Sequence, residues 1–140
     1  MKKILSTAAL VISLSASLNV QAVTAVKKYT PYEMLTKSCA VAKEVWDIKA
    51  KGMTANTSAG EQTMLAYCYN VLDTTRTLVL LGEDSTMFNN ICIPDNATHR
   101  QVLDKVLPAL QQSAKHKDFA DTAAPIVMVV GLELAYPCKK

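Results

Sequence analysis

The sequence lacks the residue groupings on which several large classes of function depend. Successive cysteines are separated by 29, 24 and 46 residues, and the only histidines are His99 and His116. A zinc site needs closely spaced ligands such as C-x-x-C, so we expect no metal and no cofactor. Serine-hydrolase, H-E-x-x-H, Walker and dinucleotide-binding motifs are also absent. The sequence therefore indicates a binding protein and not an enzyme.

A long apolar run is present only at the N-terminus, where it has the form of a signal peptide. Two lysines precede an apolar stretch over residues 4–18, and small or β-branched residues lead to a cleavage site after Ala22. A membrane-spanning helix would need roughly 20 apolar residues. We therefore expect a signal peptide at residues 1–22 and a single exported domain at residues 23–140.

Charge of one sign is scarce in the remaining chain. Removing Lys2 and Lys3 with the signal peptide leaves 13 of the 15 basic side chains against 12 acidic ones. A near-neutral domain without basic clusters offers no electrostatic footprint for nucleic acid. The longest apolar run of the mature chain, residues 126–132, is too short to cross a bilayer. The sequence thus predicts no nucleic-acid partner and no membrane span in the mature form.

Helix-start signals dominate the rest of the sequence, whereas strand-like alternation is absent. A capping box joins a hydroxyl residue to a Glu or Gln three residues later, and the sequence has three: Thr30 with Glu33, Ser58 with Glu61, and Thr98 with Gln101. Apolar residues follow each box at helical spacing. The first helix should reach about Ala50. We expect an all-α domain, a small four- to five-helix bundle of two helical hairpins.

Three details of these helices are predicted less directly. Gly82 is expected to end the second helix in a left-handed conformation. Pro108 should kink the third helix. The fourth helix should reach about Ala135, but Pro125 blurs its start, so Asp121, Thr122 or a nearer residue is a candidate cap.

The helix positions also suggest how the cysteines pair. Two antiparallel helices bring together residues that are equidistant from the connecting loop. The midpoint of Cys39 and Cys68 falls in the first loop, and the midpoint of Cys92 and Cys138 falls in the third. We therefore predict disulfides Cys39–Cys68 and Cys92–Cys138, while the two other connectivities stay open. An even count of cysteines in an exported chain fits an oxidising compartment.

The second half of the chain resembles the Rap/Tai-type immunity proteins of type VI secretion systems. The resemblance rests on residues 91–94 (ICIP), two following helices and residues 135–138 (AYPC), with a looser match to Cys39 and the Cys68-Tyr69 step. It implies a periplasmic protein that binds and blocks a cell-wall-degrading amidase effector delivered by sibling cells. It also implies a helical fold and often a homodimer.

The resemblance assigns no interface, so the contact residues are a separate hypothesis. Exposed connections on a disulfide-stiffened scaffold lose little entropy on binding, which favours residues 51–60 and 83–90. Glu83 and Asp84 are the effector-binding candidates in the second connection. Two other functions remain as alternatives: a periplasmic acid-stress chaperone, and an orphan envelope binding domain with no cognate effector.

Overall fold

The protein is described by a computed structural model that covers residues 29–82, 88–113 and 119–138. These residues form four helices and no strand. The helices are α1 (Pro31–Ala50), α2 (Ala59–Leu81), α3 (His99–Ser113) and α4 (Ala124–Ala135). The predicted all-α fold is confirmed. The predicted signal peptide, His116 and the effector-binding candidates Glu83 and Asp84 lie outside the described residues.

The three predicted capping boxes form at the starts of α1, α2 and α3. At α1, the hydroxyl of Thr30 accepts from the Glu33 amide and the Glu33 carboxylate accepts from the Thr30 amide, both at 3.1 Å. Ser58 with Glu61 and Thr98 with Gln101 repeat this arrangement. Each box satisfies amide groups that the first helical turn leaves without carbonyl partners. Local sequence therefore fixes the starts of three of the four helices.

The start of α4 agrees with the last of the predicted alternatives, a residue nearer to the helix than Asp121 or Thr122. Its N-cap is Ala123, which makes no side-chain capping hydrogen bond, so neither Asp121 nor Thr122 is the cap. Pro125, at the second helical position, brings a preset φ and no amide that needs a partner. Ala124 is buried at the helix start. Packing of the apolar side of α4 therefore replaces a polar cap.

The role of Gly82 differs from the prediction. It caps the C-terminus of α2 with φ −104°, which is not the left-handed conformation. A Cβ at this position would lie 2.5 Å from Cδ2 of Phe88 and 2.9 Å from the carbonyl oxygen of Leu78. Close packing of Phe88, and not backbone freedom, therefore requires glycine here.

The four helices pack as two hairpins, α1 with α2 and α3 with α4, and each hairpin also contacts the other. Leu35, Leu72, Leu103 and Met128 supply one fully buried side chain from each helix. Burying each such side chain stabilises the fold by about 1.5–3 kcal/mol relative to leaving it exposed. α3 continues through the exposed Pro108 to Ser113, and the kink expected there stays a prediction.

All four cysteines are paired, as the helix positions predict. Cys39 bonds to Cys68 between the middles of α1 and α2, and Cys92 bonds to Cys138 beyond the ends of α3 and α4. Two disulfides fit a protein that matures in an oxidising compartment. None of the described helices is long and apolar enough to cross a membrane.

Candidate functional site

Two distant segments, one at the end of the α2–α3 connection and one after α4, are joined at the surface. We call residues 90–92 together with 136–138 the C-terminal clasp. Ile91 pairs with Pro137 in an antiparallel bridge. The Cys92 amide donates to the Tyr136 carbonyl at 2.8 Å, the Cys138 amide donates to the Asn90 carbonyl at 3.0 Å, and Cys92–Cys138 links the two segments covalently. Backbone and covalent contacts thus fix the same two segments.

Side chains anchor the C-terminal clasp to the core. Ile91 and Tyr136 are buried, and the Tyr136 hydroxyl donates to the Gln101 carbonyl of α3 at 3.2 Å. Burial raises the pKa of Tyr136, with a smaller opposing effect of Arg76.

Arg76 of α2 donates to the Ala97 carbonyl at 2.7 Å and to the Asp95 carbonyl at 3.2 Å. No local sequence pattern predicts this role of Arg76, because its partners lie about 20 residues away in the chain.

A groove lies beside the C-terminal clasp, at the end of α2. Its volume is about 450 Å³. Apolar side chains, including Val79, Phe88 and Ile93, form much of its lining, and both Cys92 and Cys138 face it. The second disulfide therefore borders an open groove whose lining is both polar and apolar.

A second groove, of about 590 Å³, runs between α1 and α3. Ile48, Leu107 and Pro108 supply apolar walls, while Glu44 and Lys51 are among the charged residues that line it. This surface combines apolar contact area with charges of both signs. It is a second candidate surface for a protein partner. No sequence pattern predicts it, because its walls come from two helices distant in the chain.

Four charged side chains link α1 to α3 next to this second groove. Lys43 contacts Asp47 at 2.7 Å and Asp104 at 2.8 Å, and Arg100 contacts Asp47 at 2.8 Å. The carboxylates of Asp104 and Asp47 raise the pKa of Lys43, while Lys43 and then Arg100 lower the pKa of Asp47. Solvent screens such surface pairs strongly. The network therefore adds little stability, although Lys43–Asp104 and Arg100–Asp47 each join α1 to α3.

His99 ties α3 to α2. Its Nε2 lies 2.9 Å from Oδ1 of Asp73, and its ring stacks on Tyr69 at 4.8 Å. The side chain is 28% exposed. Its role in the described structure is a contact between helices.

Large apolar side chains are exposed on the outer surfaces of α2 and α4. At the end of α2, Leu81 is 82% exposed, and on α4 Ile126 and Leu134 are 58% and 60% exposed. α4 carries a single charged residue, Glu133, which is exposed. A helix that is apolar on all faces is typically buried on all faces. The exposed side of α4 is therefore suited to contact with another apolar surface.

The contact candidates from the sequence are placed only in part. Of the predicted contact segment 51–60, residues 51–58 connect α1 to α2, and residues 59–60 already belong to α2. In this connection Met53 is 52% exposed and Gly52 has φ 72°. The other connection is described only at its end, from Phe88 to Asn90. Glu33 and Glu61, which the sequence predicts as partners in capping boxes, do cap α1 and α2.

Within the described ranges, no three His, Cys, Asp or Glu side chains come together in a way that could hold a metal ion. No family model, curated protein or solved structure matches this chain.

Proposed function

We propose that this protein is a periplasmic immunity protein that binds and blocks a cell-wall-degrading amidase effector of a type VI secretion system. It acts by occupying the effector, and it needs no cofactor and no catalytic residue of its own. The signal peptide at residues 1–22 would direct it to the compartment in which the effector attacks.

One observation carries the proposal: the residues on which the resemblance rests belong to a single structural unit. The segments 91–94 and 135–138 are 40 or more positions apart in the chain, yet Ile91 and Cys92 of the first meet residues 136–138 of the second in the C-terminal clasp, through a bridge, a backbone hydrogen bond and a disulfide. The two segments that carry the resemblance therefore belong to one folded unit, and this supports the proposal.

The stiffness of the scaffold supports binding as the mode of action. Each hairpin is cross-linked, so the surfaces that the helices carry are held in place before a partner arrives. Preorganisation lowers the entropy that binding costs. Both grooves and the apolar side of α4 offer contact area to a folded protein.

A co-culture tests the proposal. A strain without this gene is mixed on a solid surface with its secretion-competent parent, and survivors of each strain are counted. We expect selective killing of the mutant, rescue by the restored gene, and no killing when the parent's secretion system is disabled. Equal survival of both strains would contradict immunity and favour the orphan domain.

The effector contact is proposed to include Glu83 and Asp84. The double variant Glu83→Lys/Asp84→Lys should weaken effector binding, measured by calorimetry on the purified pair, because reversed charges oppose the complementary surface. Asp121→Lys, at an exposed position ahead of α4, is the matched control and should bind normally. Unchanged affinity in the double variant would remove this connection from the interface.

The exposed apolar side chains of α2 and α4 favour one further candidate, an acid-stress chaperone. A chaperone of this kind should expose apolar surface reversibly in acid and bind the dye ANS there. An immunity protein with both hairpins cross-linked has no need of this change. ANS fluorescence measured between neutral and acidic pH separates the two functions.

The same apolar surface is also where a homodimer would form. Light scattering at neutral pH measures whether a homodimer covers it.

A further inference from the structure

The two disulfides differ in their access to solvent. Cys39 and Cys68 have no exposed surface and lie in the core with Leu35 and Leu72. Cys92 is exposed, Cys138 is half-buried, and both line the groove of about 450 Å³ beside the C-terminal clasp. A dissolved thiol can reach only a disulfide that the folded protein leaves open. Exposed disulfides are the labile ones.

The contacts of the C-terminal clasp would hold its two cysteines together after the disulfide opens. The backbone bonds of Cys92 to Tyr136 and of Cys138 to Asn90 do not depend on the sulfur atoms. Ile91 and Tyr136 remain buried on either side. The opened form therefore keeps both thiols adjacent and ready to close again. Cys39 and Cys68 differ, because a reductant reaches them only when α1 and α2 separate.

We propose that Cys92–Cys138 is a thiol–disulfide exchange site, which a dithiol reductant opens while the protein stays folded. A thiolate of the reductant attacks one sulfur and forms a mixed disulfide, and the other cysteine leaves as a thiolate. The second thiol of the reductant, as a thiolate, then attacks the reductant's other sulfur in the mixed disulfide. The attacked bond breaks, and the remaining protein cysteine leaves as a thiolate. The protein gains two electrons and two protons as two thiols, and the reductant becomes a disulfide. This chemistry does not depend on the immunity function.

Proximity of the two thiols makes the site selective for dithiols. A monothiol such as glutathione can form the first mixed disulfide, but the adjacent cysteine attacks that bond and restores Cys92–Cys138. A dithiol escapes this reversal, because its second thiol is equally close. We therefore expect dithiothreitol to accumulate the opened protein where glutathione at equal thiol concentration does not.

The test is timed reduction of the oxidised protein under native conditions. Samples treated with dithiothreitol are acid-quenched, alkylated and mapped by mass spectrometry, and circular dichroism is recorded before alkylation. We expect a species labelled only at Cys92 and Cys138 with unchanged helical signal. Cys39–Cys68 should open at least ~10³-fold more slowly, because its opening requires unfolding. Urea should accelerate only that slower step.

Variants and outcomes make the test decisive. Cys92→Ser/Cys138→Ser should keep its helical signal and release no thiol under the same native treatment. Simultaneous labelling of all four cysteines, earlier labelling of Cys39 and Cys68, or loss of helical signal on opening of Cys92–Cys138 would overturn the proposal. If glutathione opened the disulfide as fully as dithiothreitol does, the two thiols would not be adjacent in the opened form.

Discussion

Each of the two hairpins is closed by a disulfide, but one disulfide is buried and the other lies at the surface. In the α1–α2 hairpin, both helices begin with capping boxes, and the disulfide lies at the centre of their buried contact. In the α3–α4 hairpin, α4 has no side-chain cap, and the disulfide lies beyond the helices at the surface. The comparison separates two sources of order: local signals specify the first hairpin, whereas contacts with the rest of the molecule specify much of the second.

Removal of each disulfide gives the largest expected effect on this comparison. Loops of 29 and 46 residues predict a loss of about 4 kcal/mol for either pair, with the longer loop about 0.4 kcal/mol more costly. Burial adds about 1 kcal/mol to the cost of Cys39→Ala/Cys68→Ala, because the lost sulfurs leave unfilled core space. We therefore expect that variant to be less stable than Cys92→Ala/Cys138→Ala in urea unfolding. The reverse order would show that loop length outweighs burial.

Glycine substitutions test how closely α3 and α4 approach. A Cβ at Gly131 would lie 2.8 Å from Cδ2 of Leu110 and 3.0 Å from Cγ1 of Val106. Gly131→Ala should therefore cost about 1–3 kcal/mol through overpacking. Gly60→Ala in α2 is the matched control, because a Cβ there has only Ser58 Oγ nearby, at 4.0 Å. It should stabilise by up to about 1 kcal/mol. Equal thermal midpoints for the two variants would contradict the close helix contact.

Capping substitutions should have opposite signs in the two hairpins. Ser58→Ala removes the acceptor of the α2 box and should destabilise by about 1 kcal/mol. Ala123→Ser offers α4 an acceptor that it lacks and should stabilise by about 0.5–1 kcal/mol. Denaturant midpoints measure both effects. No gain from Ala123→Ser would mean that packing at Ala124 and Pro125 already satisfies the start of α4.

Acid should weaken the carboxylate contacts of the α1–α2 hairpin, and this is the smallest expected effect. The Ser58 amide and then its hydroxyl lower the pKa of Glu61, and Lys43 and then Arg100 lower the pKa of Asp47. A lowered folded-state pKa contributes stability above the ordinary carboxyl range, and this is lost as pH falls through the depressed pKa. Glu61→Gln and Asp47→Asn should therefore flatten the acid side of the stability profile. Stability profiles identical to that of the wild type would show that neither carboxylate contributes to the loss of stability in acid.

Much of the fold follows from residues that act locally. The capping boxes at Thr30, Ser58 and Thr98 fix helix starts because their bonds span only three residues. Helical periodicity places Cys39 and Cys68 on buried stripes, and equal distance from a loop predicts both disulfides. The exact start of α4 is left open and the reason for Gly82 is not predicted, because packing decides both.

The sequence by itself determined the helical class and three helix starts and favoured the observed cysteine pairing, since each depends on short spacings or on the symmetry of a hairpin. Tertiary structure decided that Cys92–Cys138 lies at the surface beside a groove, how Arg76 holds the Asp95 and Ala97 carbonyls, and which side of α4 faces outwards. These features depend on residues brought together from distant parts of the chain. Their separations in space are set by how the two hairpins pack, and no local pattern encodes that packing.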